Sequence, residues 1–310
     1  LFVGSVILFF IILVILLARS VSDLSESKVS QSVVYRGSDQ QIAYVRLSGE
    51  ISSQVDESLM SFNPFAITPP RVRQLFAYLA EEKNIKIVVA EINSPGGSVA
   101  ASEEVYQQMK KLAEKKQVLV YMTETAASGG YYIALPAEKI IASVPTITGS
   151  IGVMVFNPDL SGLYEKIGVK VNAYKSGRFK DIGSMNRSST AEEKMIFESI
   201  IDDSYQLFID RITEHRDLSR SEVENLADGR IYSGKQALDN GLIDELGNLD
   251  DVFAMAKERA NLADPSIIEY SYGGGPFSGL LGAKSLGILP TGLAQWNAAN
   301  KMGLYYLWMR

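Results

Sequence analysis

The chain has 310 residues, of which 46% are hydrophobic and 21% charged, with a net charge of −6, one histidine and no cysteine. That length holds one large domain or two small ones, and the charge offers no basic surface to nucleic acid. The missing cysteines exclude disulfides, thiolate metal sites and a cysteine nucleophile.

Residues 1–18 carry no charge and are nearly all apolar, and Arg19 ends the run. As a helix they reach ~27 Å, about the hydrocarbon thickness of a bilayer. A core helix is rarely apolar on every face, and a signal peptide has a shorter apolar region and a clearer small-residue cleavage pattern. Residues 1–19 therefore read as an uncleaved transmembrane anchor. Arg19 alone argues for a cytoplasmic downstream side. Residues 20–40 are polar, serine-rich and without period, and read as a linker.

Residues 42–47 alternate as a strand, and 72–79 read as a helix with Val72, Leu75, Phe76 and Leu79 on one face. Residues 85–92 are a short apolar run, a buried strand that ends in Asn93-Ser94-Pro95-Gly96-Gly97-Ser98. Residues 99–116 form an amphipathic helix with Val105, Met109 and Leu112 inside. Residues 118–122 are the next strand, and Ala126-Ala127-Ser128-Gly129-Gly130-Tyr131-Tyr132 follows it into residues that read as helix. A strand at 139–143 leads to Thr148-Gly149-Ser150-Ile151-Gly152-Val153, a glycine turn into a strand at 151–156. A helix at 160–167 and a strand at 169–174 come next.

Thr190-x-x-Glu193 is a capping box that opens a long helix, with Ile196, Ile200, Leu207, Phe208 and Ile212 as its apolar face. Ser219-x-x-Glu222 opens a shorter one. Helices at 236–240 and 250–261 and a strand at 267–270 complete an α/β domain over residues 41–272. Residues 273–310 are rich in glycine, proline and apolar side chains. They are too apolar for a solvated terminus and are expected to dock on their own domain, a partner subunit or a membrane interface.

Ser128 stands at a strand-to-helix corner among small neighbours, so a substrate backbone can approach it closely. Amides at the helix start can stabilise an oxyanion. The bland alternative is a turn whose serine caps the helix. A serine nucleophile needs a base. The only histidine, His215, lies at the polar end of a helix and reads as solvated, and zinc lacks ligands. That leaves lysine: Lys180, in Ser176-Gly177-Arg178-Phe179-Lys180-Asp181, with Lys175 as runner-up, against a reading in which Lys180 is a surface lysine paired with Asp181. A glycine amide of the Ser94-Pro95-Gly96-Gly97 loop can supply a second oxyanion donor. A phosphate cradle there lacks the P-loop lysine.

The order of these motifs, with Ala227-Asp228-Gly229-Arg230-Ile231-Tyr232-Ser233-Gly234 and Gly241-Leu242-Ile243-Asp244-Glu245-Leu246-Gly247 after them, resembles signal peptide peptidase A of bacteria in its short, single-domain form. The resemblance covers about residues 42–262. It implies a Clp-protease/crotonase-like fold and a membrane-anchored serine protease without a cofactor. In that family's pattern Ser128 is the nucleophile, Lys180 the general base, Gly97 and Gly129 the oxyanion donors, and Ser150 the serine that holds the lysine amine. It further implies a homo-octamer whose sites are shared between neighbouring subunits, cleavage of signal peptides and other apolar peptides, and a protease domain on the extracytoplasmic side of the cell membrane. Two other functions fit the same fold: a crotonase-type acyl-thioester enzyme and a non-catalytic membrane scaffold.

Overall fold

The computed structural model describes residues 29–53, 66–272 and the backbone of 304–307. Its frame is a nine-stranded sheet. The strands are β1 (Val29–Tyr35), β2 (Ser38–Ser48), β3 (Ile85–Ser94), β5 (Gln117–Ala127), β6 (Lys139–Ala142), β7 (Ile147–Gly149), β9 (Ile231–Ser233), β10 (Glu245–Leu246) and β11 (Pro265–Tyr272). Their order is β1-β11-β2-β3-β5-β6-β10, with β7 joined to β5 and β9 to β7. From β11 to β10 the path is parallel, and β1 closes one edge antiparallel. β4 (Gly96–Ser98), β8 (Met154–Val155) and β12 (Leu304–Leu307) form a second sheet, in the order β4-β12-β8.

The parallel strands are buried on both faces, which is why residues 85–92 read as a continuous apolar run. One face carries Ala43, Val45, Val88, Ala90, Val118 and Val120 against helices α1 (Pro69–Glu81) and α2 (Val99–Ala113). The other carries Ile42, Ile87, Val89 and Leu119 against Val252 and Ala256 of α8 (Leu249–Arg259). Between these lie α3 (Gly129–Ala134), α4 (Ser161–Lys166), α5 (Ala191–His215), α6 (Arg220–Leu226) and α7 (Gly234–Asp239). The capping boxes form as the sequence predicts. In α5, Glu193 N donates to Thr190 Oγ1 at 3.2 Å, and Thr190 N donates to Glu193 Oε2 at 2.9 Å.

Three expectations need correction. The stretch read as a linker contains β1 and the start of β2: β1 is an edge strand exposed along most of its length, so it carries no apolar period, and its partner β11 is more than 200 residues away. The strand expected at 169–174 is absent; its alternating Val169 and Val171 have no neighbouring edge to pair with among the described residues, and Tyr174 is 97% exposed. The expected strand at 151–156 shrinks to β8. Residues 1–28, with the expected anchor, lie outside the described residues. Among the described residues no helix is long and apolar enough to cross a membrane.

Candidate active site

Ser128 leaves β5 with φ 54° and ψ −117°, and is 1% exposed. A non-glycine residue in such a conformation costs about 1–3 kcal/mol and persists only where its surroundings fix it. Here they do. Ser128 N donates to Gly149 O at 2.7 Å, and Tyr132 N donates to Ser128 O at 2.9 Å. The helix that follows is anchored below. Tyr131 Oη donates to Leu242 O at 2.8 Å, and Tyr132 Oη donates to Glu103, whose Oε1 also accepts from Arg211 at 2.8 Å.

Two glycines bring the amides together. A Cβ on Gly129 would lie 2.6 Å from Ser102 Oγ and 3.3 Å from Gly97 N. The bare Cα therefore lets the β4 loop and the first turn of α2 close on the Ser128 corner. A Cβ on Gly97 would lie 2.0 Å from Ile51 O. Residue 51 grips this loop by Ile51 N donating to Gly96 O at 2.8 Å and Ser98 N donating to Ile51 O at 2.9 Å. Gly129 is the first residue of α3, so its N–H has no intrahelical acceptor. The loop before Gly97 is fixed by Gly96 N donating to Ser94 Oγ at 3.1 Å.

Ser150 follows β7, whose Gly149 pairs with Ala127, so it sits at the strand end beside Ser128. It too has positive φ, 50°, and is buried. The structure thus brings Ser128, Gly97, Gly129 and Ser150 to one edge. Lys180 shows no contact with them. It is exposed, on a series of turns that leaves the sheet after β8, and makes no hydrogen bond to Ser128 within the chain. Asp181 does not pair with it either: its carboxylate holds Lys175 at 2.5 Å and Arg187 at 2.8 Å. The Lys175 amine is spent there and on Arg178 O at 3.0 Å.

His215 is not solvated as expected. It is half-buried against α2, 2.7 Å from Tyr106 Oη through Nε2, and burial pushes its imidazole below the ordinary value. Two residues escaped the sequence reading. Ser102 is fully buried against Gly129, and its Oγ has no hydrogen-bond partner. Arg187 binds Asp181 and Glu193. Ser102 lies on the inner stripe of α2 as a small polar residue among apolar ones, Arg187 belongs to no periodic pattern, and the roles of both come from contacts between segments.

The Clp protease model matches residues 67–151, which span the Gly96–Gly97 loop and the Ser128 corner, and the Peptidase family S49 model matches residues 110–263. A protein of Synechocystis named "Putative protease slr0021" is 43% identical over 61% of this chain and 68% of its own length. The "Putative signal peptide peptidase SppA" of Enterococcus faecium is 40% identical over 62% of this chain. "Serine protease SPPA, chloroplastic" of Arabidopsis thaliana is 37% identical over 73% of it. The chain spans 56% of the Enterococcus protein and 33% of the Arabidopsis one. The family match across the serine corner, together with a 43% identical relative covered over two thirds of its length, establishes the conclusion: this chain is a member of peptidase family S49, with a Clp-protease-like α/β fold.

Proposed function

We propose that this chain is a serine endopeptidase in which Ser128 is the nucleophile and Lys180 the general base. The carrying observation is the strained, buried Ser128 at the head of α3, with Gly97 N packed against Gly129. Ser128 Oγ attacks the scissile carbonyl while Lys180 takes its proton and returns it to the leaving amine, and water then releases the acyl group from Ser128. Gly97 N and Gly129 N receive the oxyanion. Ser150, at the adjoining strand end, orients the lysine amine.

The base comes from a neighbouring copy of the chain. Lys180 is exposed and makes no hydrogen bond to its own Ser128, and the segment that carries it exposes Leu163, Ile167, Val171 and Tyr174, an apolar surface fit for a second copy. A ring-like octamer is the assembly that the sequence resemblance implies. The substrate lies extended along β4. The chain's own β12 takes that position, pairing antiparallel with Gly96–Ser98 on one side and Met154–Val155 on the other, and so supports strand addition as the binding mode. Apolar peptides, signal peptides among them, are the substrates that the relatives' names and the apolar anchor at residues 1–19 favour. The sequence resemblance, against the vote of Arg19, implies a protease domain on the extracytoplasmic side of the cell membrane, followed by a tail over residues 273–310.

A fluorophosphonate probe tests the nucleophile. The wild-type chain should be labelled at Ser128 and should hydrolyse an apolar fluorogenic peptide, whereas Ser128→Ala should do neither at an unchanged melting temperature. Hydrolysis by purified Ser128→Ala near the wild-type rate would sink the assignment.

A further inference from the structure

Arg187 joins two acids that stand twelve residues apart. Its Nε and Nη2 donate to Asp181 Oδ2 and Oδ1 at 3.0 and 2.8 Å, and Nη2 also reaches Asp181 O at 3.2 Å. Its Nη1 and Nη2 donate to Glu193 Oε2 and Oε1 at 2.8 and 2.5 Å. Glu193 is buried and is the acid of the capping box that opens α5. Lys175 Nζ donates to Asp181 Oδ1 at 2.5 Å from the other side. Arg178 stacks on Phe179 at 4.4 Å and pairs with Glu192 at 3.0 Å. These six charged groups close the turns around Lys180 onto the first turn of a 25-residue helix.

Asp181 directly follows Lys180. A free carboxylate there would stabilise the ammonium form of the lysine, the form that cannot accept a proton from Ser128. The clamp removes that option. Both Asp181 oxygens already accept from Arg187, and one also accepts from Lys175, so two cations face the carboxylate in place of Lys180. We propose that Arg187 is a positioning residue for Lys180: it locks the Asp181 carboxylate away from the lysine amine and fixes the Lys180 turns to the start of α5. The electrostatics agree. Arg187 and then Lys175 hold the Asp181 carboxyl well below the usual carboxylate range, and Arg187, aided by the Thr190 amide, holds Glu193 down to about 2.

This inference rests on Lys180 being the base, and the test separates the two claims. The pH profile of kcat/KM is measured on the full chain with an apolar fluorogenic peptide for wild type, Arg187→Gln, Arg187→Lys, Lys175→Met, Lys180→Ala and the double variant Arg187→Gln/Asp181→Asn. Arg187→Gln frees Asp181 to face Lys180, and its acidic limb should move to higher pH by about 1 unit or more, with activity recovering as pH rises. Arg187→Lys should move less, since an ammonium cannot fork across two carboxylates. Lys175→Met, which leaves Arg187 in place, should also move less, and it keeps the test alive if Arg187→Gln does not fold. The double variant, which lacks the freed charge, should return the limb toward wild type. An acidic limb that stays in place in the folded clamp variants, whatever their activity, overturns the positioning role. So does a double variant that stays shifted. An active Lys180→Ala enzyme overturns the base itself and the inference with it. An inactive Lys180→Ala enzyme with an unmoved limb in Arg187→Gln overturns the inference alone.

Discussion

Gly97→Ala is the sharpest perturbation of the proposed oxyanion loop. The added Cβ would lie 2.0 Å from Ile51 O and 2.8 Å from both the carbonyl carbon and the nitrogen of the same residue. All three are backbone atoms, so no side chain can swing aside. The loop must lift off residue 51, which breaks the Ile51 N–Gly96 O and Ser98 N–Ile51 O bonds. At about 0.5–1.5 kcal/mol net for each hydrogen bond, their loss costs about 1–3 kcal/mol. For a domain of this size that is a fall in melting temperature of roughly 2–12 °C. The same movement displaces Gly97 N. Loss of one oxyanion donor lowers kcat by about 100- to 1000-fold. The assay pairs thermal unfolding with kcat on an apolar peptide, and Gly162→Ala serves as control. A Cβ at Gly162 meets nothing within 4 Å, so that variant should stay within about 0.5 kcal/mol of wild type. A Gly97→Ala enzyme with wild-type kcat and melting temperature would refute both the packing argument and the donor assignment.

Mixing inactive Ser128→Ala with inactive Lys180→Ala chains should restore part of the activity, because some shared sites regain both groups; no recovery after verified subunit exchange would place the dyad within one chain. Lys180→Arg should be nearly inactive at every pH short of unfolding, since a guanidinium stays protonated, and a rate close to wild type would remove Lys180 from the role of base. Glu193 has its carboxyl depressed from an ordinary value of 4.5 to about 2. Its contribution to stability is therefore complete above about pH 4.5 and is lost as pH falls toward 2. Melting temperatures across that window should fall more steeply for wild type than for Glu193→Gln, and parallel curves would show that the Arg187 clamp adds nothing to stability.

The local elements, and the chemistry available to them, are legible in short stretches of the chain. Thr190-x-x-Glu193 and Ser219-x-x-Glu222 cap their helices as written, because a capping box needs only four consecutive residues. The run at residues 85–92 announces a strand buried on both faces, and the small residues around Ser128 announce a tight corner. One histidine and no cysteine left lysine as the candidate base. The tertiary structure decided everything that depends on distant segments. The edge strand β1 has no period of its own and exists through β11. A valine alternation at 169–171 is no strand without an edge to receive its backbone bonds. Gly97 must be glycine because the Ile51 backbone lies against it, and Gly129 lets the Ser102 side chain and the Gly96–Gly97 backbone pack close. Asp181 pairs with Arg187, tied also to Glu193, and not with its sequence neighbour Lys180. Periodicity and capping are short-range properties that neighbouring residues carry, whereas these contacts come into being only when the sheet brings together segments tens to hundreds of residues apart.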